Sequence, residues 1–241
     1  IRDNGSHGVL VSSSNSNFIE RNEIHGNGGA GVRIPSGRFN RVRENEIYGN
    51  TGLGIDIAGA GVTANTITGS CDASMPNCLQ NHPVLTEASG SSSQGVIRGS
   101  VSGYGSASTP QIAVDLYSVA SCDPRGHGQA RRYLGSTSVL LRGFTTGWRT
   151  RTFRANVTTS GIGLDDLVGK DIVAVAPRTA GGSVGSSSEF SQCIRYQVPE
   201  PGGAALGAAA LAVLAGLASV RAGRPRVGSC RRAARDRSAP A

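Results

Sequence analysis

The sequence predicts an all-β chain: coils of a right-handed parallel β-helix, an immunoglobulin-like β-sandwich, and a C-terminal transmembrane or sorting helix. Three observations predict it. A pattern recurs every 23 residues at the start, five short alternating apolar runs fill the middle, and an uncharged run flanked by proline and arginine lies near the end. They divide the 241 residues into coils (1–70), a connecting loop (71–81), the sandwich (82–197) and the sorting segment (198–241).

The coils come first. Gly8-Val9-Leu10-Val11 returns as Gly31-Val32-Arg33-Ile34 and as Gly54-Ile55-Asp56-Ile57. Asn22-Glu23-Ile24-His25-Gly26-Asn27 returns as Asn45-Glu46-Ile47-Tyr48-Gly49-Asn50, and a third copy begins three residues early at Asn65. A repeat this short buries its apolar side only by stacking on its neighbours. Apolar pairs such as Val32 and Ile34 have strand spacing. A leucine-rich repeat is the competitor, but its leucines are absent. Asn22, Asn45 and Asn65 are expected to form a structural ladder at one bend, where asparagine tolerates left-handed backbone. Outward, Arg33 is expected over Asp56, and Glu20 over Arg43. Because Ile1 falls inside a period, further coils are expected before it, and residues 1–81 are not expected to fold well alone.

In the loop, Cys71 and Cys78 enclose a short turn at the exit from the coils. The five runs that follow are Gly95–Val101, Gln111–Tyr117, Tyr133–Leu140, Thr152–Val157 and Asp171–Ala176. Turn residues separate them and no helical period intervenes, which is the pattern of an antiparallel sandwich. Ala180 to Ser188, rich in Ser and Gly, reads as a mobile loop. A disulfide between Cys122 and Cys193 is expected to tie the sandwich and one between Cys71 and Cys78 the exit loop, although the sequence allows other pairings.

The final segment starts at Val198-Pro199-Glu200-Pro201 and continues through the uncharged stretch Gly203–Val220 to an arginine-rich tail. As a helix, those 18 residues reach about 27 Å, enough for a thin bilayer. The arginines predict that the far side stays cytoplasmic and the rest is exported. A buried Ala-rich helix or a loose tail is the competing reading.

The chain carries a formal charge of +8, of which +5 lies from Val198 onward. No basic patch interleaved with aromatics is left to follow a phosphate backbone, so nucleic acid is not expected as a partner. His7, His25, His82 and His127 are scattered, the cysteine spacing is poor for zinc, and no metal or cofactor is expected. Asp165-Asp166 reads as a solvated turn. Glu20, Glu23, Glu44, Glu46 and Asp56 are the carboxylates of the coils, but those shared by successive coils read as structural. No catalytic residue is assigned. Tyr104, Tyr117, Tyr133 and Trp148 read as core or edge packing rather than a sugar-binding surface.

Two resemblances add to these readings. Val198-Pro199-Glu200-Pro201, the apolar run and the arginines resemble a PEP-CTERM sorting signal, although the tail after Arg221 is longer than usual. This implies an exosortase-type processing enzyme as partner. Gly54-Ile55-Asp56-Ile57, Leu79 to Leu85, Asp115-Leu116-Tyr117, Cys122-Asp123-Pro124 and Ser188-Glu189-Phe190-Ser191 resemble the C-terminal part of bacterial right-handed β-helix repeat surface proteins. That resemblance implies a sandwich directly after the helix and a cell-surface setting. The expected function is structural or adhesive, with extracellular polysaccharide or the surface matrix as partner. The alternative is a polysaccharide lyase, hydrolase or epimerase whose catalytic coils precede Ile1. A permanently membrane-anchored receptor is a third reading.

Overall fold

Seven short strands make the coils of the computed structural model, which describes residues 1–59, 61–66, 74–105, 111–143, 147–158, 167–180 and 185–199. They are β1 (Val9–Leu10), β2 (Phe18–Glu20), β3 (Glu23–His25), β4 (Val32–Ile34), β5 (Arg41–Arg43), β6 (Glu46–Tyr48) and β7 (Ile55–Ile57). All pair in parallel, as β1-β4-β7, β2-β5 and β3-β6, with Val9 beside Val32 and Val32 beside Ile55. The 23-residue period therefore sets the register of all three faces. Ile24, Val32, Ile34, Val42, Ile47, Ile55 and Ile57 point inward and are buried.

Asparagine ladders hold the bends. The backbone and side-chain N–H groups of Asn22 both donate to Asn45 Oδ1, at 2.9 and 3.1 Å. The left-handed residues of this bend are Arg21 and Glu44, with φ of 56° and 57°, not the asparagines. Asn65 does not extend the ladder. It is exposed and exchanges two bonds of 2.9 Å with His82, because the early third copy places it short of the 23-residue register. Two ladders absent from the sequence reading run alongside. Asn4, Asn27 and Asn50 form one, and Asn17 and Asn40 the other, each with Oδ1 accepting from the residue 23 earlier.

A 3₁₀ turn, Pro76–Leu79, leads from the coils to two antiparallel sheets. One has the order β12 (Gly147–Thr158), β9 (Gln94–Gly105), β8 (Val84–Gly90). The other runs β11 (Arg132–Leu140), β10 (Gln111–Val119), β13 (Asp171–Val175), β15 (Ile194–Arg195), with β14 (Arg178–Ala180) also on β10. Ile97, Val101, Phe153, Ala155 and Val157 of the first sheet meet Ile112, Val114, Leu116, Ile172 and Ala174 of the second in one core. Cys122 and Cys193 form a disulfide. Cys78 is disulfide-bonded, while Cys71 lies outside the described residues.

Strands β10 and β13 of the second sheet are buried on both faces. Their Tyr117, Val173 and Val175, with Ala130 and Phe190, join the apolar cluster of the coils. Ile1–Pro199 accordingly form one compact unit. Polar side chains from this later part of the chain finish the ladders. Gln129 Oε1 accepts from Asn50 N at 2.9 Å, and Asn77 Oδ1 accepts from Asn40 N at 2.8 Å. Ser187 Oγ exchanges bonds of 2.8 and 2.9 Å with the Val42 backbone, and Glu189 accepts from Ile57 N and Thr63 N at 2.8 and 2.7 Å. Ile47 and Ala130 form a two-way backbone bridge at 2.6 Å.

Two sequence expectations change here. Gly185–Ser188, within the expected mobile loop, are buried, with Ser187 Oγ bonding the Val42 backbone of the coils and Ser188 Oγ accepting from Ala176 N of the sandwich. Glu20 does stand over Arg43 in register, but its carboxylate bonds Arg41. Arg43 instead reaches Asp115 through two bonds of 3.0 and 3.1 Å. Arg33 does pair with Asp56.

The ladder ends make a direct prediction. Gln129→Ala strips the buried Asn50 N–H of its acceptor and is expected to cost about 1–3 kcal/mol. Urea unfolding measures it, and an unchanged midpoint would mean that water replaces Gln129 at no cost.

The C-terminal helix expected after Gly203 lies outside the described residues, as do Glu200 and Pro201. Among the described residues no helix is long and apolar enough to cross a membrane.

Candidate functional site

A polar cleft of about 560 Å³ opens between strands β3 and β6 of the coils and the start of the second sheet. The coils supply Glu23, Glu46 and Tyr48 on one wall. Arg131, Arg132 and Lys170 supply the other, over a floor of Ser118–Ala120. A smaller hollow of about 300 Å³ continues it past Tyr48 and Arg131 towards Cys122 and Asp123.

The repeat builds the coil wall. Residues of successive coils stand directly over one another, so Glu23 pairs in register with Glu46 and His25 with Tyr48. The His25 and Tyr48 rings stack with centroids 4.9 Å apart and planes within 3°. The backbone bridge from Ile47 to Ala130 then brings the next residue of each segment together. Arg131 lies over the Tyr48 ring at 4.5 Å, a cation–π contact. Tyr48 is thus covered on both faces, and its hydroxyl donates to Glu23 Oε1.

This bond sets the local charges. The Tyr48 hydroxyl holds the Glu23 carboxyl below its ordinary range, with help from His25, against a weaker opposing effect of burial. The same bond pushes the Tyr48 phenol up. At neutral pH Glu23 is therefore a carboxylate and Tyr48 a neutral donor. The cleft sets acceptors on its coil wall against cationic donors on its sandwich wall, an arrangement suited to a ligand rich in hydroxyls.

Glu20, Glu44 and Asp56 of the coils are engaged by arginines. Glu44 meets Arg21 at 2.9 Å and Arg43 at 3.2 Å, Glu20 bonds Arg41, and Asp56 bonds Arg33. Among the described residues no group of three or more His, Cys, Asp or Glu is placed to hold a metal ion. His82 and His127 meet edge to face at 4.9 Å, away from the cleft wall. Burial lowers the His82 pKa.

Of the residues singled out in the sequence, Glu23 and Glu46 line this cleft and the others lie around it. Cys122 lines its extension, Asn22 and Asn45 lie in the ladder behind its coil wall, and Val198 is exposed. Asn65 sits at the exit with His82. Arg131, Arg132 and Lys170 escaped the sequence reading because only folding brings them to β6. Tyr48 had a signal: it is an aromatic residue standing in register with His25.

Residues 1–102 match the family model of the right-handed beta helix region. Among the described residues parallel strand pairing ends at β7, and the matched span also holds the 3₁₀ turn, β8 and most of β9. No curated protein matches the chain.

Proposed function

We propose that the protein is an exported, non-catalytic surface protein that presents a stiff β-helix and associates with extracellular polysaccharide. The observation that carries this reading is the way the ladders end. Gln129, Asn77, Ser187 and Glu189 complete the backbone pairing of the last coil, so that coils and sandwich act as one body. That is the construction of a capped solenoid. A capped solenoid transmits load and keeps a repeated outer face in place. Glu20, Glu44 and Asp56 are paired with arginine, which favours this use over acid–base chemistry at those positions. Glu23 and Glu46 line the cleft outside such pairs and are covered by the assay for new chain ends below.

The sheet orders β8-β9-β12 and β11-β10-β13-β15 support an immunoglobulin-like sandwich. Val198-Pro199-Glu200-Pro201, the apolar run and the arginines support sorting by an exosortase-type enzyme after transient anchoring in the membrane. Mass spectrometry of the mature protein tests the latter: a C-terminus near Pro201 is expected, and an intact arginine tail would favour a permanent anchor.

Affinity electrophoresis tests the main reading. The full chain is run through gels containing acidic and neutral polysaccharides, with the gel polymers assayed afterwards for new reducing or unsaturated ends. Retardation without new ends is expected, and Arg131→Ala should weaken it several-fold. New ends would move the reading to the enzyme class, and no retardation by any polymer would overturn it.

A further inference from the structure

Only one outer face of the two sheets is covered by the coils. Among the described residues the other, on β12-β9-β8, is open along β9 and β12, strands of 12 residues each. Its outward positions there carry two arginines, Arg98 and Arg154, against a single glutamate, Glu87. The two arginines are direct cross-strand partners and both are exposed. Like charges placed opposite one another destabilise a sheet. The fold keeps this cost with partial compensation: Glu87 meets Arg98 at 3.0 Å, and Arg154 donates to Asn156 Oδ1 at 2.9 Å.

The surface around the pair is shaped. A hollow of about 520 Å³ is lined by Arg98, Arg154, Thr86, Thr152, Gly99 and Phe153. A backbone feature shapes it. The register shifts between Leu85 and Glu87, leaving Thr86 as an extra residue beside Arg98. Two guanidinium groups and two threonine hydroxyls rim the hollow, and Phe153 supports the strand from the core side.

The same face continues away from the hollow. Ser100 pairs with Thr152, and Ser102 with Thr150, whose hydroxyls lie 2.7 Å apart. Beyond them Tyr104 and Trp148 meet edge to face at 6.3 Å. From Arg98 to Tyr104 the strand spans about 20 Å at roughly 3.3 Å per residue. An anionic anchor point, a row of hydroxyls and an aromatic end lie along one line.

We infer that this open face binds an acidic polysaccharide, with Arg98 and Arg154 holding a carboxylate or sulfate group and the hydroxyl row and aromatic end following the chain. The inference rests on the polysaccharide reading above and adds to the cleft a second surface and a ligand class. Arginine suits the role because its planar fork bonds such anions in pairs. Glu87 competes with the ligand for Arg98.

The experiment is affinity electrophoresis of the full chain in alginate, dextran sulfate and neutral dextran, with duplex DNA as a second polyanion. Retardation by alginate and dextran sulfate is expected, falling roughly tenfold or more in Arg98→Ala/Arg154→Ala. Glu87→Gln should tighten binding, an effect that a merely structural Glu87 would not produce. Thermal unfolding of each variant verifies the fold. If the acidic polymers still bind while both variants behave like the parent, the inference fails and the surface-protein reading stands. Binding to neutral dextran alone has the same meaning. If no polysaccharide binds, both fail. DNA binding with the same arginine dependence would overturn the assignment to polysaccharide.

Discussion

Phe190→Ala is expected to lower the stability of the folded unit by about 3–5 kcal/mol, the range for emptying a buried aromatic site. Phe190 is 2% exposed and packs edge to face on Tyr117, with ring centroids 5.7 Å apart. It also fills the space that a side chain on Gly54 would take, since a Cβ there would lie 2.7 Å from the ring. Its loss opens a cavity shared by β7, β10 and β13, with little freedom to collapse because ladders hold the coil and a sheet holds the other wall. Urea unfolding gives the magnitude, and hydrogen exchange its location. Protection should fall in β4 and β7 as much as in β13. A loss under 1 kcal/mol, or one confined to β13, would show that coils and sandwich do not share this core.

The second large effect concerns Arg43 and Asp115. Asp115 is buried and Arg43 is its bidentate partner, with Glu44 also 3.2 Å from the guanidinium. Burial pushes the Asp115 carboxyl up, and Arg43 only partly offsets this. Burial works to lower the Arg43 pKa, yet the Asp115 carboxylate outweighs it and holds the cation firmly charged. The two directions differ because the desolvation of Asp115 is the more complete. Arg43→Ala leaves a buried carboxylate without its counter-charge and is expected to cost about 3 kcal/mol at neutral pH. The pH dependence follows from the raised carboxyl. With its folded pKa above its unfolded value, the protonated form favours the fold, so stability falls as pH rises above about 4. The cost of Arg43→Ala should therefore be small near pH 4 and full at neutral pH. Asp115→Asn added to Arg43→Ala should flatten that profile. Equal costs at both pH values would show that Asp115 does not take up a proton when Arg43 is gone.

The coils were legible because each one repeats its apolar positions at a fixed separation. The same separation relates Asn4 to Asn27 and Asn50, and Asn17 to Asn40, so these ladders were also present in the sequence. Asn27 and Asn50 close the repeat that begins at Asn22 and Asn45 without a sequence feature that marks them as a ladder, and the residues around Asn17 and Asn40 are less closely repeated. Asn65 misled for the opposite reason: its neighbours look like a repeat while its spacing is short. The docking of the second sheet on the coils had a signal too. Ile112-Ala113-Val114-Asp115-Leu116-Tyr117 is apolar at nearly every position, the pattern of a strand covered on both faces. What no local pattern could show is the partnering of distant polar residues. Ser187 and Glu189 look like surface residues until they meet the Val42 and Ile57 backbone, and Arg131 and Lys170 gain meaning only beside Glu23 and Tyr48.

The borrowed ends of the ladders also bear on the order of folding. Within the coils the asparagine bonds join residues 23 apart, whereas the bonds that finish the last coil join residues 37, 79, 132 and 145 apart. Closing such long loops is slow, and contacts of this separation form late. During synthesis the last coil stays open until residues near Glu189 have emerged. Until then its unpaired strand edges can take up any extended segment nearby. The cap thus sets the interval over which the nascent coils are open to mispairing, and shielding them through that interval matters as much as their final stability.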